Sequence, residues 1–185
     1  MRICLDAGHG HKRKLPTGAR GNGLVEDDWA FAFAYRLGHY LRAAGHQVVL
    51  TREEAGIVDL KERGRVARRE KCDVFLSIHL NAAGSSAARG CEAYVVKAAS
   101  DFFPKPLALE ILAVIAAAGV PNRGIRWDSQ SQYSSLQVLR STYKSMRAIL
   151  LEVGFLTNVQ DAKLLGDKHW VEDLACRMAK CFRAE

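Results

Sequence analysis

The stretch Ile3-Cys4-Leu5-Asp6-Ala7-Gly8-His9-Gly10 indicates the fold class and contains the first candidate functional side chain. Its apolar beginning predicts a buried strand, which ends at a turn that places a histidine between two glycines. Glycine tolerates backbone conformations that other residues avoid, so this turn allows a ligand to approach the backbone closely. A metal ion or a substrate fits this interpretation, and ordinary turn chemistry at a strand end is the alternative.

Short β-rich runs alternate with helical periodicity along the rest of the chain. Strands are expected over residues 3–5, 47–51, 73–78, 91–96 and 148–151. Helices are expected over about residues 28–44, 59–71 and 105–118 and from residue 159 onward, with a loop-rich region over residues 119–135. This βα alternation predicts an α/β fold with a mainly parallel sheet.

The length and composition fit one globular domain over residues 1–185. The chain is 49% hydrophobic and 25% charged, with a formal net charge of +7 that favours anionic partners. The basic run over residues 63–71 is interpreted as the solvated face of the second helix, whose Leu60, Gly64 and Ala67 are expected to face inward. No aromatic residues are interleaved with this run, so no specific nucleic-acid site is expected. The five cysteines are expected to be reduced, buried thiols.

Four side chains with metal-binding or catalytic chemistry are expected at one edge of the sheet. His9, His79 and Glu152 follow or close three strands, and Glu26 directly precedes the first helix. The carboxyl ends of parallel strands meet at one edge, which is where α/β proteins bind ligands. We therefore expect these four residues to converge.

Two histidines and one carboxylate suggest a catalytic zinc ion. Such sites commonly use three protein ligands of this kind and leave one position for water, whose pKa falls to about 7. His9, Glu26 and His79 meet that count. Glu152 is then a candidate proton carrier between the water and a leaving amine, with a salt bridge at the strand end as the alternative role.

The motifs that contain these residues resemble the zinc-dependent N-acetylmuramoyl-L-alanine amidases of the Amidase_3 family. The motifs are DAGHG (residues 6–10), GARGNGLVED (18–27), SIHLNA (77–82) and LLEVGFLTN (150–158), in the family's order and approximate spacing. The resemblance implies a six-stranded mixed sheet flanked by helices. It also implies one Zn²⁺ held by His9, Glu26 and His79, with Glu152 as the acid/base carboxylate.

The implied reaction is hydrolysis of the amide that joins N-acetylmuramic acid to the first L-alanine of peptidoglycan. The chain departs from the family pattern at Ala7, where proline is usual, and at His11, where glycine is usual. His11 is therefore an alternative zinc ligand. Asn81 either binds substrate or caps its turn, and Trp127 and Tyr133 either line a groove or pack.

The expected partner is peptidoglycan, with the chain a monomer that does not insert into membranes. Its longest apolar stretch, residues 111–120, is too short to span a bilayer as a helix. No secretory signal precedes the first strand, so the chain resembles an endolysin catalytic domain that is made in the cytoplasm and reaches the wall after release. A periplasmic or extracellular enzyme that has lost its leader is the alternative. A carboxypeptidase, a deacetylase and a non-catalytic wall binder are the rival functions.

Overall fold

The computed structural model describes residues 1–12, 15–53, 56–97 and 102–183, which contain both strands and helices. The strands are β1 (Arg2–Ala7), β2 (Arg20–Gly21), β3 (Leu24–Val25), β4 (Gln47–Leu50), β5 (Val74–Asn81), β6 (Cys91–Val95), β7 (Asn122–Trp127) and β8 (Arg147–Phe155). The α-helices are α1 (Glu26–Ala43), α2 (Leu60–Arg69), α3 (Lys105–Ala117), α4 (Gln137–Arg140), α5 (Val159–Leu165) and α6 (Lys168–Ala179).

A six-stranded mixed sheet in the order β4-β1-β5-β8-β6-β7 organises the molecule. The first four strands of this order are mutually parallel. Strand β6 runs antiparallel to β8 and parallel to β7, while β2 and β3 form a small separate hairpin. The α/β class and the six-stranded mixed sheet are confirmed.

The two faces of the sheet are covered unequally. Helices α1, α3 and α6 contribute to a large core on one face, which includes Phe33, Ile111 and Leu174. A smaller cluster on the other face includes Ala67 of α2, Leu139 of α4 and Phe75 of β5. On this second face a cavity of about 570 Å³ opens beside β6 and β8.

Strand β7 lies inside the region that was predicted to be a loop. Its sequence, Asn-Arg-Gly-Ile-Arg-Trp, has little of the apolar alternation that reveals a strand, and it forms the edge of the sheet. Hydrogen bonding to β6 therefore decides its conformation. Strands β5 and β8 also extend beyond their predicted ends, so His79 and Glu152 lie within strands rather than at their ends.

Two expectations for the helices are wrong in detail. Helix α1 begins at Glu26 rather than near residue 28, so Glu26 lies in the first turn of the helix. In α2 the side chain of Leu60 is exposed, while Arg63 is buried. Arg63 points inward because it pairs with buried Asp6, and an ion pair with satisfied hydrogen bonds tolerates burial that a lone charge does not.

Candidate active site

Three of the predicted residues meet at one point and are called the metal-donor group here: His9, Glu26 and His79. Their potential ligand atoms all lie within 4.8 Å of one another. Glu26 Oε1 is 2.9 Å from both His9 Nε2 and His79 Nδ1. These residues are far apart in the sequence. They come together because the turn after β1, the start of α1 and strand β5 meet at the same edge of the sheet.

Glu26 is held in place by the backbone around it. Its carboxylate accepts hydrogen bonds from the amide N–H groups of Ala19, at 2.9 Å, and Leu80, at 3.3 Å. Burial acts to raise the pKa of Glu26, but the adjacent His79 and His9 outweigh it and hold that pKa well below its usual range. The Glu26 carboxylate is therefore a charged candidate metal ligand that is fixed in position.

The glycines around His9 permit close packing of the donors. A Cβ on Gly8 would lie 2.4 Å from Cε1 of the His79 ring, closer than real Cβ contacts. His9 itself has a φ of 62°, in the left-handed region that side chains seldom adopt. The turn at residues 8–10 thus brings the backbone against the His79 ring and orients His9 toward the metal-donor group.

Two buried arginines fix the carbonyl groups of this turn. Arg52 donates to the carbonyls of Ala7, at 3.2 Å, and Gly8, at 3.0 Å. Arg63 donates to the carbonyls of Ala7, at 2.7 Å, and His9. Each guanidinium is also paired with a buried carboxylate, Asp27 for Arg52 and Asp6 for Arg63. The turn is therefore fixed by charge-assisted hydrogen bonds on its inner side.

Glu152 lies beside the metal-donor group. It is the register partner of His79 on the neighbouring parallel strand. Its Oε2 atom is buried and makes no hydrogen bond within the described residues. Burial, and then the charges of Glu26 and Glu92, raise the pKa of Glu152 well above its ordinary value. The predicted alternative, a salt bridge to an arginine, is not formed with any described residue.

Glu92 is a buried carboxylate that the sequence analysis missed. It lies on β6, directly opposite Glu152 of β8. Its oxygens accept hydrogen bonds from Asn81, at 2.9 Å, and Tyr94, at 3.0 Å. Burial acts to raise its pKa, but Arg123 and the other donors outweigh this and lower it. The motif Cys91-Glu92-Ala93 contained one signal, a single charge inside an apolar strand.

Two arginines of β7 form the far wall of the same cavity and were also missed. Nε of Arg123 and Nε of Arg126 each lie 2.8 Å from Glu92 Oε2. The residues that line the cavity follow the strand order of the sheet. The metal-donor group lies beside β1 and β5, Glu152 on β8, Glu92 on β6 and the arginines on β7.

The remaining candidates have separate positions. His11 Nε2 lies 3.1 Å from Asp28 Oδ1 and is not part of the metal-donor group. Asn81 accepts from the Ala82 N–H and donates to Glu92, so it serves the turn and the site together.

The two aromatic candidates differ in position. Tyr133 lines the cavity with 72% of its surface exposed. Trp127 is not among the cavity-lining residues and packs against the large core.

The donor set fits a metal ion of the zinc type. Two imidazoles and one carboxylate are the combination that catalytic zinc sites commonly use, and here they line one cavity. The described cysteines are all free thiols, and none of them belongs to this group. All are buried as expected except Cys176, which is partly exposed.

The chain is similar to known proteins over most of its length. Residues 3–183 match the family described as N-acetylmuramoyl-L-alanine amidase. The chain belongs to that family. The match covers nearly the whole chain, so the sheet and the cavity described above are those of an N-acetylmuramoyl-L-alanine amidase domain.

Individual relatives share the fold or part of the sequence. The catalytic domain of the amidase CwlV from Paenibacillus polymyxa var. colistinus has a TM-score of 0.83 at 34% identity, over 97% of this chain and 94% of that one. The amidase LytC of Bacillus subtilis is 35% identical over 88% of this chain, and the endolysin of Bacillus phage SPP1 is 32% identical over 94% of it. These alignments span only 31% of LytC and 61% of the endolysin.

Proposed function

We propose that the chain is a zinc-dependent amidase that hydrolyses the bond between N-acetylmuramic acid and L-alanine in peptidoglycan. The observation that carries this proposal is the metal-donor group, which lies in one cavity with Glu152, whose Oε2 has no hydrogen-bond partner among the described residues. His9, Glu26 and His79 hold the ion. When bound, zinc supplies a Lewis acid that polarises a carbonyl and makes water more acidic.

Glu152 carries the proton in the proposed reaction. It accepts a proton from the attacking water and donates it to the nitrogen that leaves, since an amide nitrogen must be protonated to depart. Its unpartnered Oε2 is available for both steps. The raised pKa suits a group that must release a proton as well as accept one near neutral pH.

Metal analysis combined with a muropeptide digest tests this proposal. We expect about one zinc per chain, new L-alanine amino termini in digested sacculi, intact glycan strands, and loss of activity on chelation that added zinc restores. A different new terminus would indicate a carboxypeptidase or deacetylase. A chain without zinc, whose effect on sacculi is unchanged by a chelator, would be a wall-binding module.

The proposed place of action is the cell wall, which the chain reaches as a monomer after synthesis in the cytoplasm. Among the described residues, no helix combines the length and the apolar character needed to cross a bilayer. Expression of the chain in the cytoplasm should leave cells intact, while the purified chain should lower the turbidity of permeabilised cells. Sedimentation analysis should give the mass of one chain. Lysis from the cytoplasm without any release factor, or a stable dimer, would contradict the corresponding part of the proposal.

A further inference from the structure

The far wall of the cavity contains two arginines that serve no role in the chemistry described above. Arg123 and Arg126 share one oxygen of Glu92 through their Nε atoms. Glu92 offsets one of the two positive charges. This arginine wall, defined by Arg123 and Arg126, therefore keeps one net positive charge beside the cavity.

A bulge in β7 puts both arginines on the cavity side. In a regular strand, residues three apart face opposite sides of the sheet. Here Cys91 pairs with Asn122 but Ala93 pairs with Ile125, so β7 contains one residue more than β6 between these pairs. Gly124, with a φ of 87°, accommodates the extra residue.

The arginine wall has unused hydrogen-bond donors. Within the described residues, the Arg126 side chain donates a hydrogen bond only through Nε, so its two terminal nitrogens are without partners. Arg123 is more constrained, because it donates to the Arg89 carbonyl, at 3.3 Å, and lies over the Phe155 ring. The buried hydroxyl of Ser131, in the same cavity, also has no partner among the described residues. Free guanidinium N–H groups and an unpaired hydroxyl are suited to a carboxylate.

The wall lies at a short distance from the reacting centre. Adjacent strands are about 4.8 Å apart, so β7 is about 10 Å from β8. The guanidinium groups reach back to Glu92 on β6, which brings them to about one strand spacing from Glu152. An extended peptide covers about 3.5 Å per residue, so a substrate group one or two residues beyond the cleaved bond reaches the wall.

We propose that the arginine wall binds a free carboxylate of the substrate's stem peptide, namely that of the second residue. This proposal rests on the proposed amidase function. The muramoyl side of the cleaved bond offers no carboxylate, because its lactyl carboxyl is consumed in that amide. The second stem residue is a γ-linked glutamate whose α-carboxyl is either free or amidated, so the wall distinguishes the two forms.

A binding titration of the metal-free chain tests the proposal without turnover. The probes are L-alanyl-γ-D-glutamate and its amidated counterpart, L-alanyl-D-isoglutamine, followed by NMR on the arginine Nε–H signals. We expect the free acid to bind about tenfold more tightly than the amide, as a charge-assisted pair implies. Arg126→Gln should remove this preference. Arg65→Gln, the same change on the exposed surface of α2, should keep it.

Three results would overturn the proposal: equal affinities in the unaltered chain, a preference that persists in Arg126→Gln, or tighter binding of glycerol phosphate than of the free-acid dipeptide. The last result would assign the wall to a phosphodiester on the glycan. If Arg126→Gln does not fold, Arg126→Lys replaces it, since lysine keeps the charge near Glu92 but lacks the paired N–H groups. The titration needs neither zinc nor cleavage, so failure of sacculus digestion contradicts the amidase proposal alone.

Discussion

Two glutamates of the cavity illustrate how environment decides the role of a residue. Glu92 and Glu152 are direct cross-strand neighbours, and their Cβ atoms are expected about 5 Å apart. Glu92 has four hydrogen-bond donors and a lowered pKa, while Glu152 has an unpartnered Oε2 and a raised pKa. Such a separation of pKa values between neighbouring acids is typical of sites that need one fixed charge and one proton carrier.

Replacement of Glu152 by glutamine should separate catalysis from folding. The amide has the same shape but cannot carry the proton, so we expect turnover of sacculi to fall about 10²- to 10⁴-fold. Zinc content and the thermal midpoint should stay near those of the unaltered chain, since Oε2 makes no hydrogen bond with a described residue that could be lost. Glu110→Gln, on the exposed surface of α3, is the control. Activity retained in Glu152→Gln would remove Glu152 from the mechanism.

A methyl group on Gly8 should weaken metal binding. In Gly8→Ala the new Cβ overlaps the His79 ring, which must move away from Glu26. Mutation of a residue that holds a metal ligand in position commonly lowers the metal affinity about 10- to 100-fold. Competition with a chromogenic chelator measures this loss, and Gly84→Ala, where a Cβ meets nothing within 4 Å, should leave the affinity unchanged. Equal zinc affinities in the two variants would contradict the packing argument.

The metal-donor group could be predicted from the sequence, and the arginine wall could not. His9, Glu26 and His79 follow recognisable strands or precede a helix, and the carboxyl edge of a parallel sheet brings such residues together. Arg123 and Arg126 share a side only because β7 has a bulge, and residues three apart in a strand otherwise diverge. No periodicity in the sequence shows that insertion.

At the scale of elements, Gly124 is expected to determine the shape of β7. Its φ of 87° is costly for a residue with a side chain, although a Cβ there would meet nothing within 4 Å. Gly124→Ala should therefore lower the free energy of unfolding by about 1–2 kcal/mol through backbone strain alone. Urea denaturation measures this loss of free energy, with Gly84→Ala as the control without positive φ. If both alanines have the same small effect, the strand does not depend on this conformation.

Helix α2 is joined to β1 by a buried ion pair, and this pair predicts acid sensitivity. Arg63 donates to Asp6 at 2.7 Å, and Ser77 and Thr51 donate at 2.6 Å each. Burial acts to raise the pKa of Asp6, but these partners outweigh it and lower the pKa. Because the unfolded pKa is about 3.9, this stabilisation is complete above about pH 5 and is lost as the pH falls through the lower folded pKa.

Removal of the Asp6 charge should show the same linkage. Asp6→Asn leaves Arg63 buried without its counter-charge, so we expect a loss of about 3–5 kcal/mol at pH 7. Below about pH 4 the difference from the unaltered chain should shrink, because Asp6 takes up a proton in the unfolded chain at a higher pH than in the folded chain. Urea denaturation at several pH values measures both, and Glu62→Gln in the exposed pair with Arg65 should change stability by less than about 1 kcal/mol. A difference that stays constant between pH 7 and pH 3 would contradict this linkage.

At the scale of the whole molecule, the alternation of strands and helices is enough to predict the α/β class. The sequence does not show how the second face is shared between packing and binding. Helices α2 and α4 contribute to a small cluster there, which includes Leu150 of β8, while Glu92, Tyr94 and the arginines line the cavity farther across the sheet. The cavity is thus part of the sheet face that also carries this smaller cluster.

The shared sheet predicts that residues 1–185 unfold as one domain. Both cores pack on the same six strands, so loss of one face removes the support of the other, and calorimetry should show a single transition with an enthalpy of about 130 kcal/mol near 60 °C. Phe33→Leu in the large core and Phe75→Leu in the small one should each shift that whole transition to lower temperature, by about 2–4 °C per kcal/mol lost. If Phe75→Leu instead splits the transition in two, the second face unfolds independently and the chain does not form one cooperative unit.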